Sequence, residues 1–146
     1  MDFFSQIHEF SLGGLSTELT MLGLAVILGF IHLFAAIQVI TAERGRAWNV
    51  GARDVTEPLK GKLAGRLDRA FQNFKETFIP FAAVVLACAV AGRHNGLTVW
   101  GAELYVVARV IYLPLYAMGI PVLRTIVWLI GTIGIFLLIA ALFGAG

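Results

Sequence analysis

Apolar positions fall into four long runs, at about residues 19–40, 71–91, 99–118 and 122–143. Each is long enough to cross a bilayer as an α-helix. Between the first two lies TAERGRAWNVGARDVTEPLKGKLAGRLDR, residues 41–69, a polar stretch punctuated by Gly, Pro and Asn. The other two connections are short: GRHNG at 92–96, and AMGIPVLRT at 117–125, where Gly119 and Pro121 turn the chain. The pattern predicts one all-α integral membrane domain over residues 1–146, a bundle of four transmembrane helices. Span two should continue a helix that starts in the loop near Leu59. Pro80 falls inside that helix, where it removes a backbone donor and is expected to bend it.

Composition agrees with this class. The chain is 59% hydrophobic and 14% charged over 146 residues, and its mean hydropathy is +0.86. That leaves too little polar surface for a soluble domain of this size. A bundle this small has little interior of its own, so oligomerisation is expected. The net charge of +2 is modest and forms no basic face of the kind that binds nucleic acid. Cys88 has no cysteine partner and sits in an apolar run, as a small core residue does. No metal site is expected. The polar exceptions of span one, His32 and Gln38, read as interhelical hydrogen-bonding groups.

Charge placement sets the expected topology. Seven of the eleven Lys and Arg residues lie in the 41–69 stretch, and none precedes span one. By the positive-inside rule the loop is cytoplasmic and both termini lie on the other side. The start of the chain lacks the basic opening and short apolar core of a secretory signal. Arg53, Lys60 and Lys62 are read as topology signals and headgroup contacts with membrane lipids.

Inside the spans, charge is the informative exception. On a helix, Arg69, Asn73, Glu76 and Pro80 follow one another by four, three and four residues and share a face. Arg109, Tyr112 and Tyr116 do the same in span three. A charge at the bilayer centre costs roughly 2.5–3.5 kcal/mol, so these faces should meet other helices or a watered cavity. Two readings stay open: a polar seam that holds the bundle together, or a binding site. Arg124, at the start of span four, is open in the same way between snorkelling to headgroups and facing the pocket. Topology gathers Arg44 or Arg46, Arg69, Asn73, Glu76, Tyr112, Tyr116 and Arg124 at the loop end of the membrane. Such a set suits a small polyanionic ligand, with arginines on its carboxylates and Glu76 on an amine. A non-catalytic protein that binds an anionic lipid or small ligand in the same cluster is the alternative.

The segment RAFQNFKETFIPF, residues 69–81, resembles the RAxxNxxE signature of the MAPEG family, the membrane-associated proteins in eicosanoid and glutathione metabolism. The likeness extends to the four spans, the basic first loop and the third-span end ARVIYLPLYAMGIPVLRT. It implies a homotrimer with glutathione, as co-substrate, held between neighbouring subunits at the cytoplasmic side. Carried over by position, it places Arg69, Gln72, Asn73, Glu76, Tyr112 and Tyr116 on glutathione, with Arg44 or Arg46 at the first-span exit. Arg109 joins the expected binding set through the stripe it shares with the two tyrosines. Arg124 matches the arginine that stabilises the thiolate. The implied activity is glutathione-dependent transfer to a hydrophobic small-molecule electrophile, or reduction of a lipid hydroperoxide. The compact loop resembles bacterial members, which implies an inner-membrane location.

Overall fold

The computed structural model describes residues 13–54 and 57–144. The basic-free start of the chain, up to residue 12, and positions 55–56 of the loop lie outside the described residues. Four long helices carry the fold: α1 (Thr17–Arg44), α3 (Lys62–Val90), α4 (Gly96–Met118) and α5 (Pro121–Leu142), with the short α2 (Arg46–Val50) between the first two. All four are long and apolar enough to cross a membrane.

Burial inverts the pattern of a soluble bundle. In α1 the inward face is Met21, Ala25, Leu28, His32 and Ala36, at helical spacing, whereas Val26, Ile27, Phe30, Ile31 and Phe34 are exposed. Large apolar side chains point outward on every long helix, as hydrocarbon surroundings require. Gln38 also faces outward and makes no interhelical bond to any described residue. His32 is buried, but its Nδ1 meets its own helix at the Leu28 carbonyl (2.9 Å), and its ring packs on Phe74.

α3 and α4 form the central pair; α1 packs against both from one side and α5 from the other, and α1 does not reach α5. The closest approach is between α4 and α5. A Cβ on Gly134 would sit 2.5 Å from the Gly101 carbonyl oxygen, and one on Gly101 would sit 2.6 Å from the Gly134 carbonyl oxygen. The two backbones are therefore in direct contact. In hydrocarbon, where burial of apolar surface supplies no drive, such close packing is what holds helices together.

The apolar core has two parts. One, around Phe81, Val85, Cys88, Tyr105 and Leu138, fills the half of the bundle away from the loop, with Phe81 stacked on Tyr105 at 3.9 Å. The other, Ala70, Ala108, Tyr112, Leu115, Tyr116 and Val127, lies nearer the loop. Small Ala70 of α3 packs in the same cluster as the two tyrosines, and Ala108, on their own helix, lets α4 approach α5 at Gly131.

The helices extend past their apolar runs on the loop side. α3 begins at Lys62, because Ala64, Leu67, Ala70 and Phe74 already give it a buried face before the apolar run starts. The remaining loop is closed by Glu43, whose carboxylate accepts the Lys60 N–H (2.6 Å) and the Gly61 N–H (2.9 Å). At the far end α4 starts on a capping box: Asn95 accepts from Leu97 and Thr98, and Thr98 Oγ1 accepts the Asn95 N–H. The helix of α3 is continuous through Pro80. The missing proline N–H leaves the carbonyl of Glu76 without its helical donor.

The α4–α5 contact yields a direct test. Gly134→Ala, whose new methyl would meet backbone that cannot swing away, is expected to destabilise the bundle by about 1–3 kcal/mol. Gly96→Ala, at an exposed position with nothing within 4 Å, should leave the midpoint unchanged. Thermal unfolding of both variants in detergent checks this; equal responses would mean that the close approach does not hold the helices.

Candidate functional site

A cavity of about 500 Å³ opens at the loop half of the bundle, lined by Arg69, Gln72, Asn73 and Glu76 from α3, Tyr112 and Tyr116 from α4, and Arg124, Thr125 and Trp128 from α5. Three helices contribute because α3 packs against both α4 and α5 there. The α3 residues occupy one face, at positions i, i+3, i+4 and i+7, and α5 supplies i, i+1 and i+4.

The two walls differ in character. On the α3 wall Arg69, Gln72 and Glu76 are exposed in the protomer, and no hydrogen bond or ion pair joins any of them to another described residue. Glu76 in particular pairs with neither Arg69 nor Arg109. Arg69 folds back over Gly65, where a Cβ would lie 3.2 Å from its Nη1. On the opposite wall Tyr112 and Tyr116 are buried and edge-on to each other at 5.4 Å. The guanidinium of Arg124 lies 4.4 Å from the centre of the Tyr116 ring. Such a stack holds a cation in place by about 0.5–2 kcal/mol and leaves the edge of the guanidinium for another partner.

Arg109 stands behind the cavity. It is 0% exposed, lies 5.4 and 5.0 Å from the ring centres of Tyr105 and Tyr112, and donates from Nη1 to Asn73 Oδ1 at 2.8 Å. Its Nε and Nη2 have no acceptor among the described residues. This contact fixes the Asn73 amide. With the carbonyl oxygen held by Arg109, the NH₂ group remains to donate elsewhere. Arg109 therefore acts on the cavity through Asn73, not as part of its lining. The stripe Arg109, Tyr112, Tyr116 is thus a real helix face that divides by depth: the tyrosines line the cavity and the arginine buttresses it.

Arg44 and Arg46 do not line the cavity of the protomer. Arg44 donates to the Glu57 carbonyl and lies 4.5 Å from the ring centre of Trp48, while Arg53 lies on the same indole at 4.8 Å. Arg46, in the first turn of α2, is exposed. Glu43 ties this end of α1 to the loop at Lys60 and Gly61, and α1 meets α5 nowhere along its length. Two lining residues escape a reading by charge, Thr125 and Trp128. Trp128 follows Arg124 by four, so extending the α5 face by one turn would have found it. Its indole Nε1 is buried with no partner among the described residues, a donor in the wall with nothing to donate to.

Among the described residues no three His, Cys, Asp or Glu side chains gather as metal ligands. Chemically, the cavity offers two guanidiniums, two amides, two phenols and an indole as donors, with a single carboxylate as acceptor. That set fits a small ligand carrying several anionic groups and one cationic one.

A family model described as MAPEG family matches residues 21–144. No curated protein matches the chain.

Asn73 supplies the acceptor that keeps the Arg109 cation tolerable in the core. Asn73→Leu should therefore cost about 3–5 kcal/mol, the range for stripping one partner from a buried charge. Asn73→Asp, which retains an oxygen at that position, should cost far less. Denaturant or thermal unfolding of the two variants makes the comparison, and similar losses would show that the Arg109 contact carries little energy.

Proposed function

The chain belongs to the MAPEG family, and on that premise we propose that it is a membrane-bound, glutathione-dependent transferase or peroxidase acting on hydrophobic electrophiles. The observation that carries the reading is the cavity itself. Arg69, Gln72, Asn73, Glu76, Tyr112, Tyr116 and Arg124 converge on about 500 Å³, and no ion pair joins the charged members. A polar seam built to hold helices together would spend its charges on one another. Here they face a volume within the ~300–1,000 Å³ typical of small-molecule sites.

Glutathione has two carboxylates, one ammonium and one thiol. Arg69, Gln72 and the Asn73 amide are the donors for its carboxylates, Glu76 is the acceptor for its ammonium, and the Tyr112 and Tyr116 phenols complete the cradle. Arg124 is the catalytic residue in this reading. A thiol with pKa near 8.5 is mostly protonated at neutral pH and the thiolate is the nucleophile. A guanidinium within hydrogen-bond reach of sulfur favours the anion, and each unit of lowered pKa corresponds to about 1.4 kcal/mol. In conjugation the sulfur forms a bond to carbon, the leaving group departs with its electron pair, and the thiol proton passes to water. In peroxide reduction two thiols would become a disulfide as the hydroperoxide becomes an alcohol and water.

The electrophile would enter from the lipid phase, past the apolar flanks of the outer helices. The wider reading completes the picture: a homotrimer in a bacterial inner membrane, the 41–69 loop cytoplasmic and both termini on the opposite side. Covering the exposed α3 wall with a neighbouring subunit would keep Arg69, Gln72 and Glu76 from lipid, and the first-span end of that neighbour is where Arg44 or Arg46 would meet the ligand. A purely anionic lipid headgroup is the poorer fit, because Glu76 would repel it.

Calorimetric titration of the purified protein with glutathione is expected to show saturable binding that is lost when Arg69→Ala and Glu76→Ala are combined. In a conjugation assay with a chlorinated nitrobenzene, Arg124→Leu should lower turnover by at least about tenfold, one pKa unit of lost stabilisation. Unchanged binding in the double variant would remove the α3 wall from the site, and unchanged turnover would remove Arg124 from the chemistry.

A further inference from the structure

Arg66 belongs to neither the cavity nor the core. It lies on α3 one turn before Arg69, half-buried, and reaches across to the end of α4, where Nη1 donates to the Ala117 carbonyl at 3.2 Å. That carbonyl is among the last of the helix and lacks a helical donor, so a cation there meets both an unpaired acceptor and the negative end of the helix dipole. The contact continues onto the turn that follows. Gly119 takes φ +77°, and its N–H bonds back to the Leu115 and Tyr116 carbonyls at 3.1 Å while Ile120 N–H returns to Leu115. A Cβ at residue 119 would fall 2.5 Å from Arg66 Nη2 and 2.8 Å from Nη1. The guanidinium therefore lies against the glycine, which the turn requires for its left-handed backbone and whose missing side chain leaves the guanidinium its place.

This turn joins two residues of the far wall. Tyr116 is in the last turn of α4, and Arg124, whose N–H bonds to the Ile120 carbonyl at 3.4 Å, is in the first turn of α5. Arg66, by contrast, rides on the helix that carries Arg69, Asn73 and Glu76. We propose that Arg66 is a positioning residue that clamps the α4–α5 turn to α3, and so sets the distance between the Arg124–Tyr116 pair and the α3 wall. Its catalytic consequence rests on the thiol-transfer reading above. A catalytic group displaced by about 1 Å can lose two orders of magnitude in rate, so a clamp of this kind acts on kcat more than on binding.

The test uses the full chain in detergent with Arg66→Met, Arg66→Lys, Gly119→Ala and, as control, Lys62→Met, whose side chain is exposed at the start of α3. Amide hydrogen exchange is followed over residues 119–125, together with thiol affinity and conjugation kinetics. Arg66→Met and Gly119→Ala are expected to raise exchange in that segment by about tenfold, with the rest of the bundle unaltered. They should lower kcat by about 10- to 100-fold while glutathione affinity moves by less than about threefold. Arg66→Lys, a point charge in place of the guanidinium, should recover only part of the rate. The control should change neither.

Unchanged exchange in both Arg66→Met and Gly119→Ala would overturn the clamp. So would loss of affinity in step with kcat, which is the mark of general unfolding. If the unaltered protein turns over no thiol, the functional reading fails by itself, and the exchange measurement still decides whether Arg66 holds the turn. If Arg66→Met does not fold, Gly119→Ala and Arg66→Lys decide the matter.

Discussion

Hydrocarbon does not solvate charge, and that constraint arranges everything else in this molecule. An ionic side chain within a spanning helix must find a partner, a wet cavity or the membrane edge, because exposure to lipid costs several kcal/mol. The arginines on the spanning helices meet this requirement in different ways. Arg109 retreats into the core and leans on Asn73 and two tyrosine faces. Arg124 stacks on Tyr116 at the end of its helix, and Arg66 lies along the backbone of a turn. Arg69 has the cavity but no partner among the described residues: it is exposed beside Gln72 and Glu76 on the cavity's outer side. A single protomer thus leaves one polar face for something else to cover, and a neighbouring copy with a ligand between is the occupant consistent with the proposed homotrimer.

α3 is the element on which this depends, because it changes character along its length. Its first half is amphipathic, with Ala64, Leu67, Ala70 and Phe74 inward and a polar face carrying Arg69, Gln72, Asn73 and Glu76. Beyond Pro80 it is apolar on all sides, and Phe81, Val84, Val85 and Cys88 fill the other half of the core. The change coincides with the proline, where the Glu76 carbonyl loses its helical donor. The same helix therefore anchors the bundle with one half and lines the cavity with the other. Gly29 adds to the anchoring by making room for Phe74, whose ring a Cβ there would meet at 2.9 Å.

Much of this was legible from the residues in order. The four spans follow from apolar length alone, and the two polar stripes follow from helical spacing: α3 puts 69, 73 and 76 on the cavity, and α4 aligns 109, 112 and 116. Spacing reports a face, however, and says nothing of depth. It could not tell that Arg109 sits behind Asn73 while Tyr112 and Tyr116 come forward. Nor could it tell that the loop would be closed by Glu43 on two backbone N–H groups, or that Arg44 would turn to the Glu57 carbonyl and the Trp48 ring. Reading for charge also passed over Trp128 and Thr125, and it gave Arg66 no role beyond one more positive residue of the loop. Its partner is a backbone carbonyl 51 positions away, and no local pattern encodes that.

What separates scaffold from site here is how far each polar group is satisfied. At the end away from the loop, Glu18 is buried at the start of α1 yet accepts from Thr98 Oγ1 at 2.5 Å and lies 3.3 Å from His94 Nδ1, and the same Thr98 serves the Asn95 capping box. Every group in that network has found a partner within the chain, as buried polar groups with a purely structural task do. At the loop end the accounting does not close. Arg109 leaves Nε and Nη2 without acceptors, Trp128 leaves Nε1, and no described residue answers Arg69 or Glu76. An unmet buried donor costs about 1–3 kcal/mol. His32 Nε2 within α1, and Thr41 Oγ1 and Trp48 Nε1 near the loop, are likewise without a partner among the described residues. Of the unpartnered buried atoms, however, only Trp128 Nε1 belongs to a residue that lines the cavity. One polar cluster is thus closed on itself and holds α1 to α4, while the other leaves Arg69 and Glu76 unanswered at the cavity, the contrast on which the proposed binding site rests.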